Sequence, residues 1–74
     1  MIEEYADAIL TENLASHGLV AGDIGTVVMV HDQGAAYEVE FLTLAGETLA
    51  VLTLTAAQVR PAAADEIARV RQVA

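Results

Sequence analysis

Cysteine is absent from this chain of 74 residues, so no disulfide can staple it. A thiol-free composition also suits a reducing compartment. Lysine is absent as well. Arginine alone supplies the 3 basic residues, against 11 Asp+Glu, and the net charge is -8. Phosphate backbones are bound through Lys and Arg, with counterion release supplying most of the affinity. A lysine-free acidic chain therefore repels nucleic acid and anionic membrane surfaces. Long hydrophobic runs are missing too: no window approaches the ~20 apolar residues of a membrane span. The N-terminal MIEEYADAIL is acidic where a signal peptide is basic, and its apolar run is too short. These absences predict a cytoplasmic chain with no nucleic-acid partner and no membrane partner.

What is present is apolar. Hydrophobic residues make up 55% of the chain, and mean hydropathy is +0.49. That content argues for a folded domain rather than disorder. The length allows one domain, residues 1–74. So short a chain buries only roughly 60–65% of its unfolded surface, which makes its stability marginal. With no disulfide available, oligomerisation or an unusually regular core has to compensate.

Alternation along the chain predicts strands. Tyr5–Leu10 alternates weakly and reads as the first. Asn13, Ser16, His17, Gly18 and Gly22 then break any periodicity. Ile24–His31 is rich in β-branched residues and reads as the strongest strand. Both of its faces are apolar, so it is expected to be central and covered on both sides. Asp32–Ala35 (DQGA) turns the chain back into Ala36–Leu42. There Tyr37, Val39 and Phe41 alternate with Glu38 and Glu40, one face for a core and one for water or a partner. Thr43–Glu47 is the next turn, and Thr48–Leu54 the third antiparallel strand. Thr55–Val59 reads as a single helical or 3₁₀ turn. The expected fold is mainly β: a small antiparallel barrel of about five strands. Val28, Val30, Tyr37, Val39, Phe41, Leu49 and Val51 are its expected core.

The pattern changes after Arg60–Pro61. Ile67, Val70 and Val73 recur at three-residue spacing within the alanine-rich Ala62–Val73. Pro61 suits a first turn, acids lie early and arginines late, so residues 62–73 are predicted to form a short C-terminal α-helix. Such a helix either caps one end of the barrel or docks on a partner.

GDIGTVV at Gly22–Val28 resembles the glycine–acid–x–glycine–x–Val turn of SH3-like barrels, including the KOW type of ribosomal and transcription proteins. The ordered set HGL at His17–Leu19, GDIGTVV, AYEVEF at Ala36–Phe41 and LAVLTL…QVRP at Leu49–Pro61 resembles a family of small bacterial domains of unknown function, over residues 4–61. That resemblance implies an SH3-like barrel, with Gly22, Asp23, Gly25 and Thr26 forming a structural turn rather than a site. Gly25 is expected to avoid a side-chain clash where the strand begins, and Asp23 to accept backbone N–H groups of the turn. Similar barrels occur in the β subunits of nitrile-hydratase-like enzymes, where they scaffold another chain's metal site. The helix expected at 62–73 lies outside the resemblance.

Candidate chemistry is sparse. His17 sits in a turn beside Gly18, a setting for backbone bonding. His31 stands next to Asp32, and a His–Asp pair can orient an imidazole, yet Ser16 is the sole serine and no motif places a nucleophile. Two histidines and scattered carboxylates lack metal-ligand spacing. Glu38 and Glu40 stand about 6.5–7 Å apart along one strand face, with no cleft implied. The sequence therefore predicts no enzyme activity, no cofactor and no metal. It predicts a non-catalytic protein-interaction module, the acidic partner of a basic co-encoded protein, as antitoxins and immunity proteins often are. A homo-oligomer is the other expected assembly. The candidate interface is acidic: Glu38 and Glu40 on one strand face, with Asp32 and Glu47 in the turns at its two ends. A merely solvated face is the plain alternative. An accessory scaffold subunit resembling the nitrile-hydratase β barrel is a second reading. A KOW-like nucleic-acid binder comes last, because of the charge.

Overall fold

The computed structural model describes residues 1–73. Five strands follow in order: β1 (Asp7–Leu10), β2 (Ile24–His31), β3 (Ala36–Leu42), β4 (Thr48–Thr55) and β5 (Val59–Pro61). They form one open sheet in the order β4-β3-β2-β1-β5, with every neighbouring pair antiparallel. The fold is thus mainly β, as the alternation predicts. Among the described residues no helix is long and apolar enough to cross a membrane.

The turns follow from local chemistry. Between β2 and β3, Asp32, Gln33 and Gly34 take φ of 48°, 58° and 101° in succession. Left-handed backbone is tolerated by Asp and free for Gly, so DQG reverses the chain tightly. Between β3 and β4, the Thr43 hydroxyl accepts from the Glu47 N–H at 3.1 Å, and Gly46 takes φ of 88°.

The sheet curls. β4 and β5 are its opposite edges, four strand spacings apart, or ~19 Å if the sheet were flat. Ala56–Gln58 alone joins them, and four Cα steps span at most ~14 Å. The concave face holds the core: Ala8 and Leu10 from β1, Val27 from β2, Tyr37, Val39 and Phe41 from β3, Leu54 from β4 and Val59 from β5. Ile2 and Leu19 complete it from outside the sheet. The backbone N–H of Ile2 donates to the buried Tyr37 hydroxyl at 3.0 Å.

Several expectations need correction. β1 starts at Asp7, because Tyr5 takes φ of 69° and its N–H donates to the Val27 carbonyl at 2.6 Å. The turn after β4 ends at Gln58, and Val59–Pro61 pairs with β1 as a strand. Tyr37, Val39 and Phe41 are buried as expected, and Val30 packs against them partly buried. Val28 is not in the core: Val27 and Met29 face the consecutive residues Val39 and Glu38, so Val28 is the extra residue of a bulge. Leu49 and Val51 are 43% and 50% exposed. They take the outer face because Leu54 pairs with Tyr37 and Leu52 with Val39, fixing the opposite parity as inward. β2 is central, but its outer face is open at Ile24 and Met29.

The C-terminal helix is not formed. Residues 62–73 hold one turn, closed by the Glu66 N–H donating to the Ala63 carbonyl at 3.1 Å, and no regular element. Ile67 is 94% exposed and Val70 78%, so these two residues of the apolar stripe bury little surface. A short helix without a surface to pack on is marginal. The Glu66 side chain is instead drawn to Arg60, whose two Nη atoms donate to its oxygens at 2.8 and 2.6 Å, while the Ala63 N–H donates at 2.7 Å.

Those donors, Arg60 first, hold the Glu66 carboxyl down at about 2. A depressed carboxyl supports the folded state above its ordinary range and stops doing so as pH falls through the depressed value. A carbon-13 carboxyl titration is expected to put the Glu66 midpoint near 2. A midpoint near 4.5 would mean that the pair with Arg60 is open in solution.

Candidate functional site

Strand register decides which side chains share the convex face. Thr26 stands opposite Glu40, Met29 opposite Glu38, Glu38 opposite Thr53, and Glu40 opposite Val51. Side chains directly opposite in a ladder lie on one face. Glu38 and Glu40 therefore belong to an outer surface shared with Thr26, Met29, Val51 and Thr53. Asp32 and Glu47 are exposed in the turns at the two ends of β3. The structure brings Glu38 and Glu40 together and leaves the other two candidates at the ends.

Both central carboxylates are oriented by β4. The Thr53 hydroxyl donates to Glu38 Oε1 at 2.9 Å, and the Thr48 hydroxyl donates to Glu40 Oε2 at 2.9 Å. His31 Nε2 lies 3.4 Å from Glu38 Oε1. The Thr53 hydrogen bond, and then His31, hold the Glu38 carboxyl below the usual carboxylate range. His31 thus faces Glu38 rather than the adjacent Asp32. Ser16 and His17 are exposed in a 3₁₀ turn, Ala15–His17, on another part of the molecule. Among the described residues no group of three or more His, Asp or Glu side chains is placed to hold a metal ion.

The sequence reading missed the apolar half of this face. Ile24, Met29, Leu42, Leu49 and Val51 are all substantially exposed. It also missed the edge. β4 runs for 8 residues with β3 on one side and, among the described residues, no strand on the other. Thr48–Val59 is the longest stretch of the chain without an ionisable side chain, and it contains no proline. Natural edges are usually blunted by Lys, Pro, an inward charge or a bulge. This edge carries a bulge only at its start, between Phe41 and Leu42 of the partner strand. One signal was available: an uncharged octet in a chain of net charge -8.

The glycine-rich turn before β2 borders the same face. Asp23 Oδ2 accepts the Val20 N–H at 2.9 Å, as its place in the turn predicts. Asp23 also takes two hydrogen bonds from the Arg71 guanidinium, one of them from Nε at 2.7 Å. Those bonds are the main reason its carboxyl sits below the usual range, with burial opposing them. A groove of about 350 Å³ lies beside this turn. Leu19, Ile24, Leu42 and Leu49 line it together with Val70 and Val73 of the C-terminal segment.

Residues 4–61 match the family model for a domain of unknown function, DUF4926. No curated protein and no solved structure matches the chain.

Proposed function

Because this chain belongs to that family of domains of unknown function, its role has to be read from its own surface, and we propose a non-catalytic protein-interaction module that adds an extended, basic segment of a partner chain to the open edge of β4. The observation that carries the proposal is the uncharged 8-residue edge, which has no strand added to it among the described residues and whose Thr55 N–H alone is taken by a side chain, Gln58 Oε1 at 2.9 Å, lying beside two oriented carboxylates. An added strand gains main-chain hydrogen bonds from the edge, and its alternate side chains supply specificity. Those facing outward would lie beside Leu49, Val51 and Thr53, with Glu38 and Glu40 one strand further on, roughly 10 Å from the added backbone. Arginine fits that layout. Its aliphatic stem covers apolar surface while its head reaches a carboxylate. The net charge of -8 favours the same partner. In this reading the curled sheet is a small SH3-like barrel, supported by the short Ala56–Gln58 link between its edges.

Two synthetic probes test the proposal: an extended peptide alternating Arg with Val, and one alternating Glu with Val. The Arg peptide is expected to bind and the Glu peptide not to. The double change Glu38→Gln, Glu40→Gln is expected to slow association with the Arg peptide by about tenfold, since exposed charges act mainly on the encounter rate. Both side chains are partly exposed, so the melting temperature should stay within about 2 °C of the parent, as for surface substitutions generally. Equal affinity for the two peptides, or association indifferent to both the substitutions and added salt, would overturn the reading.

A further inference from the structure

The family match ends at residue 61, yet the segment beyond it is fastened to the turn at the heart of the matched region. Arg71 Nε donates to Asp23 Oδ1 at 2.7 Å, Nη2 donates to Oδ2, and Nη2 also donates to the Gly18 carbonyl at 3.0 Å. This latch places Val70 and Val73 in the lining of the same groove as Ile24, Leu42 and Leu49. Leu49 lies in β4, so the groove under the strap is continuous with the docking face.

The composition of the strap is informative. The chain has 3 basic residues, and two of them, Arg69 and Arg71, fall here, alternating with Val70. An extended run of alternating arginine and valine is the chemistry that the β4 face and its carboxylates accept. The strap is also lightly held. Arg71 is its one charged anchor on the turn, the Arg71 side chain is 36% exposed, and Ile67 and Val70 bury little.

We propose that residues 67–73 are an intramolecular competitor: latched through Arg71 on Asp23, they cover the Leu49 end of the docking face, and a basic partner segment displaces them. This rests on the docking reading above and adds its regulation. The latch is polar and partly exposed, so salt weakens it, and the strap opens without unfolding the sheet.

The test uses the 74-residue chain and the variant Arg71→Gln. In the parent, nuclear Overhauser effects are expected from Val70 and Val73 methyls to Ile24, Leu42 and Leu49 methyls. They should be independent of protein concentration and vanish in ~1 M salt, where screening acts within about 3 Å. Arg71→Gln should abolish them in low salt while the core amide spectrum is unchanged. Its affinity for the alternating Arg–Val peptide should rise by about threefold or more, because the strap no longer occupies part of the docking face and the competent fraction rises. Asp23→Asn, which keeps an oxygen acceptor for the Val20 N–H, should behave in the same way. Methyl Overhauser effects that persist in both variants, or that arise only at high protein concentration, overturn the cis latch. Their disappearance with no gain in peptide affinity overturns the competition while leaving the docking reading intact. A peptide that binds neither parent nor variant overturns the docking reading, and the methyl Overhauser effects still decide whether the latch exists.

Discussion

Phe41→Ala removes the cooperative melt or lowers its midpoint by tens of degrees. Phe41 is the only phenylalanine in the chain, lies in β3 and is 2% exposed. Truncating a buried phenylalanine costs about 3–5 kcal/mol, from lost transfer energy and from the cavity left behind. A domain of 74 residues has roughly 4–11 kcal/mol of stability in total at the usual 0.05–0.15 kcal/mol per residue. The substitution therefore removes a large share, and no disulfide limits the loss. At roughly 4–8 °C per kcal/mol for a chain of this size, thermal circular dichroism reads the change directly. A variant melting within a few degrees of the parent would place Phe41 outside the core.

Gly25→Ala is also damaging, by a smaller amount and for the opposite reason. Gly25 pairs with Ala8 and faces the core from β2. A Cβ there would stand 2.5 Å from Val39 Cγ1, 2.9 Å from Phe41 Cε1 and 3.0 Å from the Glu40 carbonyl oxygen. The side chains can shift by small amounts, but the carbonyl belongs to the β2–β3 ladder and cannot. Overpacking of this kind costs about 1–3 kcal/mol. The clash with Val39 gives the prediction its signature. In a thermodynamic cycle with Val39→Ala, the double variant should lose less than the sum of the singles, because the truncation makes room for the added methyl. Strict additivity would mean that the glycine is needed for something other than space.

These two residues also mark what is legible in the sequence. In β3 the glutamates at 38 and 40 leave Tyr37, Val39 and Phe41 only one face, so phase and core follow from alternation alone. Gly25 is legible as a close approach through the resemblance carried by GDIGTVV, which places it at the entry of the strand. β4 reads differently. In TLAVLTL, Leu49, Ala50, Val51, Leu52 and Leu54 are apolar on both faces, so alternation carries no phase. It offers Leu49 and Val51 to the core as readily as Leu52 and Leu54, and only the register with β3 puts the latter pair there. The bulge at Val28 shifts the phase of β2 in the same way. In the C-terminal segment, three-residue spacing describes a stripe correctly but does not supply the surface a helix needs. That stripe stays in irregular backbone.

The candidate surface is half visible. Two glutamates of one strand share a face by period alone, so Glu38 and Glu40 are legible. That β4 is an edge depends on strand order, which no local pattern encodes. The pairing of Arg71 with Asp23 spans 48 positions and has no sequence signature. Asp32 and Glu47 do lie in turns, as their neighbours Gly34 and Gly46 suggest, and these turns leave them at opposite ends of β3 rather than beside one another.

Amide hydrogen exchange of β4 tests docking at its edge most directly. With β3 on one side only, part of the β4 backbone faces solvent and exchanges quickly in the free protein. At saturating concentrations of the alternating Arg–Val peptide, docking by strand addition predicts that amides within Thr48–Thr55 slow by about tenfold or more, while those of the central β2 ladder are unchanged. Binding of the peptide with β4 exchange unaltered, and protection arising on another surface, would contradict it.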